Sequence, residues 1–170
     1  MTHHDSSESC TPPTPVMLAL YQPDIPQNTG TIIRMAACLG VPVGIIEPAG
    51  FPASDRAFRR AGMDYLDAAE IRRHASFAAF QQWRSAAGAR LLLATTRAAD
   101  DLYAVRFRPG DVILFGRESL GVPQDVHDAA DLRFRIPMRP ELRSLNIAVS
   151  AAMITGEALR QLGAFPKAAP

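Results

Sequence analysis

The chain has 170 residues, 48% of them hydrophobic, and a formal net charge of +1, which is typical of a single domain with a packed core. This balance excludes a strongly basic nucleic-acid binder, so any RNA partner must be held by local basic patches. No apolar run approaches the roughly 20 residues that span a bilayer. We therefore expect no membrane association. No Cys-x-x-Cys pair is present, so we expect no metal site, and the cysteine usage fits a cytoplasmic protein.

The two ends of the chain differ in composition from its centre. Residues 1–15 are rich in Ser, Thr, Pro and His and contain no Lys or Arg, so we expect a disordered tail and no signal peptide. We expect one domain over residues 16–163 and a flexible tail over residues 164–170. A chain that starts at Met17 is therefore expected to fold and function normally.

Apolar runs and helical patterns alternate along the central segment. A buried strand is predicted over 16–21, a turn-rich loop over 23–30, and then a helix that Asn28 or Thr29 caps and Gly40 ends. The same patterns predict further strands at 43–46, 90–95, 112–115 and 132–136, and further helices at 54–61, 76–85, 123–129 and 145–162. This alternation predicts an α/β domain with a mostly parallel sheet flanked by helices.

Ligands of such sheets bind beyond the carboxyl ends of the strands, and unusual residues follow three of these strands. The first group is Gln27–Gly30, followed by Arg34. Asn28 alone is best interpreted as a helix cap. Arg34 is more informative, because a helix that starts at the end of a strand would aim this cation at the ligand cleft.

The second group directly follows an apolar strand and reads Phe-Gly-Arg-Glu-Ser-Leu-Gly-Val-Pro, residues 115–123. Its two glycines and its proline predict a tight loop, and Glu118 is poorly placed for an ordinary surface charge. The third group comprises Ile136–Met138 and Arg143–Asn146 ahead of the longest helix. Ser144 or Asn146 must cap that helix, which leaves the other as a polar wall of a pocket.

Several common site motifs are missing from the sequence. There is no Gly-x-Gly-x-x-Gly, no Gly-x-x-x-x-Gly-Lys-[Ser/Thr] and no Gly-x-Ser-x-Gly. A dinucleotide-binding Rossmann domain, a glycine-rich methyltransferase loop, phosphate-loop NTPase chemistry and a hydrolase elbow are therefore unsupported.

Taken in order, the three groups resemble the SPOUT superfamily of RNA methyltransferases. The likeness is closest to the bacterial branch that methylates the ribose of the wobble nucleotide of tRNA. It is carried by segments spread over the chain, namely Leu20–Arg34, Ile46–Pro48, Arg59–Gly62, Asp64–Tyr65, Phe115–Glu118, Ile136–Met138, Arg143–Asn146 and Glu157–Gly163.

The resemblance implies a C-terminal trefoil knot, a homodimer with an active site shared across its interface, and S-adenosylmethionine as cofactor. It implies a set of cofactor-binding residues, namely Ala94, Thr95, Gly116, Ile136, Met138, Ser144 and Leu145. It also implies a set of catalytic residues, namely Asn28, Arg34, Glu118, Ser144 and Asn146.

The implied reaction is methylation of a tRNA ribose 2′-hydroxyl at position 34, on cytidine or carboxymethylaminomethyluridine. Arg34 would orient the hydroxyl and stabilise its developing negative charge. The anticodon stem-loop would be held by the densest cationic stretch of the chain, which comprises Arg56, Arg59, Arg60, Arg72 and Arg73. Three alternatives stay open: methylation of another RNA site, methylation of a base, and a catalytically silent RNA-binding protein of the same fold.

Overall fold

Six short strands form one parallel sheet in the computed structural model, which describes residues 14–168. The strands are β1 Val16–Tyr21, β2 Val43–Ile46, β3 Ile71–His74, β4 Leu91–Ala94, β5 Asp111–Phe115 and β6 Leu132–Phe134. Their order across the sheet is β3-β2-β1-β5-β4-β6, and every neighbouring pair is parallel. The predicted α/β class with a mostly parallel sheet is confirmed.

Helices cover both faces of the sheet. They are α1 Pro26–Leu39, α2 Arg56–Gly62, α3 Tyr65–Ala68, α4 Phe77–Ala86, α5 Gln124–Ala129 and α6 Ile147–Leu162. Alternate residues of β1 enter two cores: Leu18 packs with α1, α2 and α6, whereas Ala19 packs with α4 and α5. This two-sided burial explains why the central strands are continuously apolar. Within residues 14–168, no helix combines the length and apolarity needed to cross a bilayer.

The first helix begins earlier than predicted. Pro26 occupies its first turn and Ile25 its N-cap position, without a side-chain cap, so the prediction that Asn28 or Thr29 caps the helix is wrong. Proline suits this position because its fixed φ is helical and its missing N–H needs no partner. Asn28 therefore lies inside the first turn, where its side chain is available for other contacts. The predicted end at Gly40 is confirmed by its left-handed φ of 67°.

Two elements between β2 and α4 escaped prediction. The strand β3 lies at the edge of the sheet and has the sequence Ile-Arg-Arg-His, of which only His74 is buried. An edge strand this short and charged lacks the apolar signature of the central strands. The short helix α3 was also not predicted. The helix predicted over 54–61 begins instead at Arg56, because the Asp55 side chain accepts from two backbone N–H groups.

The amino end of β1 carries contacts that the composition of the tail did not reveal. The backbone carbonyls of Thr14 and Pro15 accept from the Gly110 N–H at 3.2 and 3.1 Å, and Val16 is fully buried. The other residues of the predicted disordered tail lie outside the described residues, as do residues 169–170 of the predicted flexible tail. The domain boundary at residue 16 stays a prediction.

We expect a chain that starts at Met17 to be less stable than one that starts at Thr14. The shorter chain loses the buried Val16 side chain, which is worth about 2 kcal/mol, and both acceptors of Gly110. Urea unfolding of the two chains measures the difference. Equal unfolding midpoints would show that this end of β1 contributes nothing to stability.

Strand order reverses between β1 and β5. From β1 the chain runs outward through β2 to β3, whereas β5, β4 and β6 lie on the other side. Such a switch point opens a crevice beyond the carboxyl ends of the strands. The loops after β1, β4, β5 and β6 meet there.

Candidate active site

A cavity of about 570 Å³ occupies this crevice. It is walled by the loops after β1, β4, β5 and β6, together with the start of α6. Every residue predicted to bind a cofactor lines it, namely Ala94, Thr95, Gly116, Ile136, Met138, Ser144 and Leu145. The catalytic candidates Asn28, Glu118 and Asn146 line it as well. The cavity therefore brings together residues that lie up to 118 positions apart in the chain.

The loop after β5 forms a tight hairpin at the floor of the cavity. The Arg117 N–H donates to the Gly121 carbonyl at 3.0 Å, and the Gly121 N–H donates back at 2.8 Å. A Cβ atom on Gly116 would lie 2.7 Å from the Gly121 backbone. No side chain fits at position 116 without opening the hairpin, which explains the glycine that the sequence places there.

A path of side-chain hydrogen bonds runs from α6 to the loop after β5. The Asn146 Oδ1 accepts from the Ala148 and Val149 N–H groups at 2.8 and 3.4 Å, so Asn146 rather than Ser144 caps the helix. Its Nδ2 then donates to Asn28 Oδ1 at 3.0 Å, and Asn28 Nδ2 donates to Glu118 Oε1 at 3.5 Å. Since backbone N–H groups fix the Asn146 amide, the orientation of the Asn28 amide is fixed too.

Glu118 is also joined to Asp24, a residue that the sequence analysis did not single out. The Glu118 N–H donates to Asp24 Oδ1 at 3.1 Å, the Asp24 N–H donates to Glu118 Oε2 at 3.4 Å, and the Ser119 hydroxyl donates to Asp24 Oδ2. These bonds connect the loop after β1 to the loop after β5. The position of Asp24, directly after a strand and four residues before Asn28, was the available signal.

The two carboxyl groups perturb each other. Burial, and then the hydrogen bond with Asp24, raises the pKa of Glu118 to about 7. The same hydrogen bond holds the pKa of Asp24 below its ordinary value. Of the two carboxyl groups, Glu118 therefore keeps its proton to the higher pH, and Asp24 ionises first.

Arg34 lies outside the cavity of its own chain. Its side chain is exposed, donates to the Met63 sulfur at 3.3 Å, and lies over the Tyr65 ring at 5.1 Å. Arg34 therefore does not line the cavity of its own chain, and its place in a catalytic site stays a prediction. Because α1 starts at Pro26, Arg34 lies two turns into the helix and about 240° around it from Asn28.

The five arginines predicted to hold RNA lie on α2 and β3, away from the cavity lining. Arg73 is paired with Glu47 at 2.5 Å, whereas Arg72 lies 3.9 Å from Glu70 and over the Trp83 ring. The α2 members differ: Arg56, Arg59 and Arg60 are exposed and have no carboxylate within 4.0 Å in the described part of the chain.

Arg34 belongs to the same region as the α2 arginines. A Cβ atom on Gly30 of α1 would lie 2.6 Å from the Phe58 carbonyl oxygen of α2, so the two helices approach closely at this glycine. Met63, the partner of Arg34, immediately follows α2. Four guanidinium groups with no carboxylate within 4.0 Å in residues 14–168 thus lie on or beside α2, namely those of Arg34, Arg56, Arg59 and Arg60.

The comparisons with known proteins agree on one family. The model of the SpoU rRNA Methylase family matches residues 15–156. A protein of Beijerinckia indica named tRNA (cytidine(34)-2'-O)-methyltransferase is 62% identical over 151 residues, which are 89% of this chain and 94% of the relative.

Solved structures give the same result. One that gives structural insights into the 2-OH methylation of C/U34 on tRNA is 44% identical, with a TM-score of 0.83 and coverage of 87% of this chain and 96% of that chain. An AdoMet-bound rRNA methyltransferase from Sinorhizobium meliloti is 30% identical, with a TM-score of 0.79 and coverage of 86% and 56%.

Proposed function

The chain belongs to the SpoU rRNA Methylase family, and on that premise we propose that it methylates the ribose 2′-hydroxyl of tRNA nucleotide 34 with S-adenosylmethionine. The nucleotide would be cytidine or carboxymethylaminomethyluridine, presented in the anticodon stem-loop, and the reaction would take place in the cytoplasm. One observation carries the proposal: the three motif loops of a chain 62% identical to a cytidine-34 methyltransferase meet in a single cavity.

The cavity suits the cofactor in size and in chemistry. Its volume of about 570 Å³ is that of a small-molecule site. Leu93, Phe115 and Ile154 offer apolar surface, while Thr95 and Ser144 offer hydroxyl groups. Ala94, Gly116, Ile136, Met138 and Leu145 would complete the binding wall. When bound, S-adenosylmethionine supplies a methyl group on an electrophilic sulfonium.

The protein has to align the ribose with that methyl group and to manage the hydroxyl proton. Glu118, Asn28 and Asn146 form a rigid polar edge on which a ribose would be positioned, with Ser144 beside them. Arg34 would orient the attacking hydroxyl and stabilise its negative charge, since a guanidinium is a poor base but a strong double donor.

Because Arg34 lies outside the cavity of its own chain, we propose a homodimer in which Arg34 of the partner subunit completes each site. Support comes from an exposed apolar strip that runs from the residue before the N-cap of α6 into the second turn of this helix. Leu145, Val149 and Met153 recur every four residues and are 40%, 49% and 38% exposed. A strip of this kind on a helix needs a partner surface.

We also propose the trefoil knot that the resemblance implies. The path of the chain supports it: residues 137–146 lead from β6, near one edge of the sheet, to α6, which packs against α1 and β1 at its centre. The RNA would be held by Arg56, Arg59 and Arg60, with Arg72 and Arg73 contributing less because acidic neighbours offset their charge.

The test is to incubate the protein with an anticodon stem-loop and labelled S-adenosylmethionine and to map the product by mass spectrometry. We expect one methyl group on the ribose of nucleotide 34. The matched control carries 2′-deoxyribose at that nucleotide and should accept no label. Label in the control would indicate a base methyltransferase, and binding without label would indicate a silent RNA-binding protein.

Glu118 should make stability fall as pH rises. An acid whose pKa is raised on folding binds more protons in the folded state than in the unfolded state. Its contribution to the free energy of unfolding is therefore lost as the pH rises from 4.5 to about 7. Glu118→Gln imitates the protonated form, so it should lose less stability than the wild type between pH 5 and pH 8. After allowance for partial exposure the difference is on the order of 1 kcal/mol.

Urea unfolding at both pH values measures this effect. Glu70→Gln is the control, because Glu70 is an exposed glutamate on the other half of the sheet. The depressed pKa of Asp24 acts only below its ordinary value of 3.8 and leaves this window unaffected. Identical pH dependence in wild type and Glu118→Gln would show that no proton is held at this pair.

A further inference from the structure

Arg117 is a charged side chain of the cavity for which neither the sequence motifs nor the proposed mechanism gives a role. It precedes Glu118 in the hairpin after β5 and lines the cavity. Its guanidinium lies over the Tyr21 ring, with 5.6 Å between Cζ and the ring centroid. Its Nε is buried and has no hydrogen-bond partner among residues 14–168.

The two hairpin bonds between Arg117 and Gly121 fix the backbone that carries this side chain. The aromatic ring of Tyr21 holds the guanidinium by a cation–π contact, which leaves the N–H donors of the group unused. A guanidinium stays charged at every physiological pH and cannot relieve burial by losing a proton. The terminal nitrogens of this guanidinium have no hydrogen bond among residues 14–168 and, unlike Nε, are not buried, so they are the donors that an anion in the cavity can reach.

The charges around the cavity also leave Arg117 without a counter-ion. Its neighbour Glu118 is bonded to Asp24 and Asn28. Of the other arginines that line the cavity, Arg135 is paired with Asp101 at 3.3 Å. Arg117 and Arg143 have no carboxylate within 4.0 Å in residues 14–168.

We propose that Arg117 is an anion-binding residue of the cavity, which takes one oxyanion group through its guanidinium. The inference rests on the proposed function, and that function offers two sources of the same chemistry. One is the phosphodiester next to the target ribose in the RNA. The other is the carboxylate of the methionine part of the cofactor. Planar oxyanions of both kinds match the double donor of an arginine.

Two variants test the proposal. Arg117→Met keeps the apolar stem on Tyr21 and removes every donor, and Arg117→Gln keeps a single polar end. The control is Arg106→Gln. Arg106 is exposed, and its carbonyl accepts from Arg90, which is bonded to Asp111 at the opposite end of β5. For each protein, calorimetry gives the Kd of S-adenosylmethionine, and a titration at several salt concentrations gives the Kd of the anticodon stem-loop.

We expect the same one of the two affinities to fall about ten- to a hundredfold in both Arg117 variants. In the control Arg106→Gln, both affinities should be unchanged. If the anion is a phosphate, RNA affinity falls. The slope of the logarithm of RNA affinity against the logarithm of salt concentration then becomes shallower by roughly 0.7 to 0.9, which corresponds to the loss of one phosphate contact. If the anion is the carboxylate, cofactor affinity falls and the salt dependence of RNA binding is unchanged.

Both affinities within twofold of the wild type, in whichever Arg117 variant folds, would overturn the proposal. Methyl transfer by the wild type, measured in parallel, separates this outcome from a failure of the proposed function. If the wild type is active and the Arg117 variants bind both ligands as the wild type does, only the anion-site proposal is wrong. An inactive wild type that binds RNA still allows the affinity of the variants to be compared with its own.

Discussion

Replacing Arg34 with alanine should lower the single-turnover rate of methyl transfer to tRNA by about 100- to 1,000-fold, the usual effect of losing one transition-state contact. Cofactor affinity should stay within twofold of the wild type, because Arg34 does not line the cavity of its own chain. Stability should change by less than about 1 kcal/mol, since only the contacts with Met63 and Tyr65 are lost.

The lysine variant sharpens this test. Arg34→Lys retains the charge but not the planar pair of donors, so it should restore little of the rate. The measurements are single-turnover transfer at saturating cofactor and, in parallel, calorimetric binding of S-adenosylmethionine. A near-normal rate in Arg34→Ala would remove this residue from catalysis, and a matching loss of cofactor binding would assign it to the cofactor site instead.

Mixing two inactive variants asks whether Arg34 acts across the dimer. One partner is Arg34→Ala and the other is Asn146→Ala, which keeps Arg34 but breaks the polar edge of its own cavity. If Arg34 acts in trans, each mixed dimer contains one intact site, and activity should return to about a quarter of the wild-type level after equal mixing. If Arg34 acts within its own chain, no mixed dimer has an intact site and activity stays absent.

A glutamate in place of Val149 should abolish both dimerisation and methyl transfer. Val149 lies in the middle of the exposed apolar strip on α6 and is 49% exposed, so the substitution leaves the core of the chain intact. At the dimer interface it would bury an unpaired charge, which interfaces do not tolerate. Light scattering should give about twice the 18.4 kDa chain mass for the wild type and the chain mass itself for the variant.

The matched control is Ala86→Glu. Ala86 is exposed at the end of α4, which covers the opposite face of the sheet, so this glutamate should leave mass and rate unchanged. An active monomer of Val149→Glu would contradict the completion of each site by Arg34 of the partner subunit, and a wild type of single-chain mass would contradict the dimer.

Much of the fold could be predicted because the central strands are apolar on both faces. The runs at β1, β2, β4 and β5 have no interpretation other than burial, and Gly40 and Gly163 end their helices as expected. The strand β3 could not be predicted in this way, since Arg72 and Arg73 are tolerated only at an edge. Its identity as a strand depends on pairing with β2, which no local pattern reveals.

Part of the candidate site could likewise be predicted from the sequence and part could not. Loops that follow strands could be recognised as walls of a crevice, but the cofactor candidates themselves came from the resemblance to the SPOUT methyltransferases. The orientation of Arg34 could not be predicted, because the helix was expected to start after a cap at Asn28 or Thr29, whereas it starts at Pro26 and is placed on the sheet by contacts of that first turn. Asp24 and Arg117 were missed because their importance arises from contacts with Glu118 and Tyr21 that only folding creates.

Along the path from Asn146 through Asn28 to Glu118, each side-chain amide donates its hydrogen bond to the next residue. This makes the site sensitive to deamidation, which removes an amide donor. Conversion of Asn146 to aspartate would preserve the N-terminal cap of α6, because aspartate caps a helix as well as asparagine does. It would nevertheless place oxygen against the Asn28 oxygen where an N–H now donates. An aged molecule of this kind would keep the cap of its longest helix while its polar edge came apart, so the damage would fall on the site rather than on the fold.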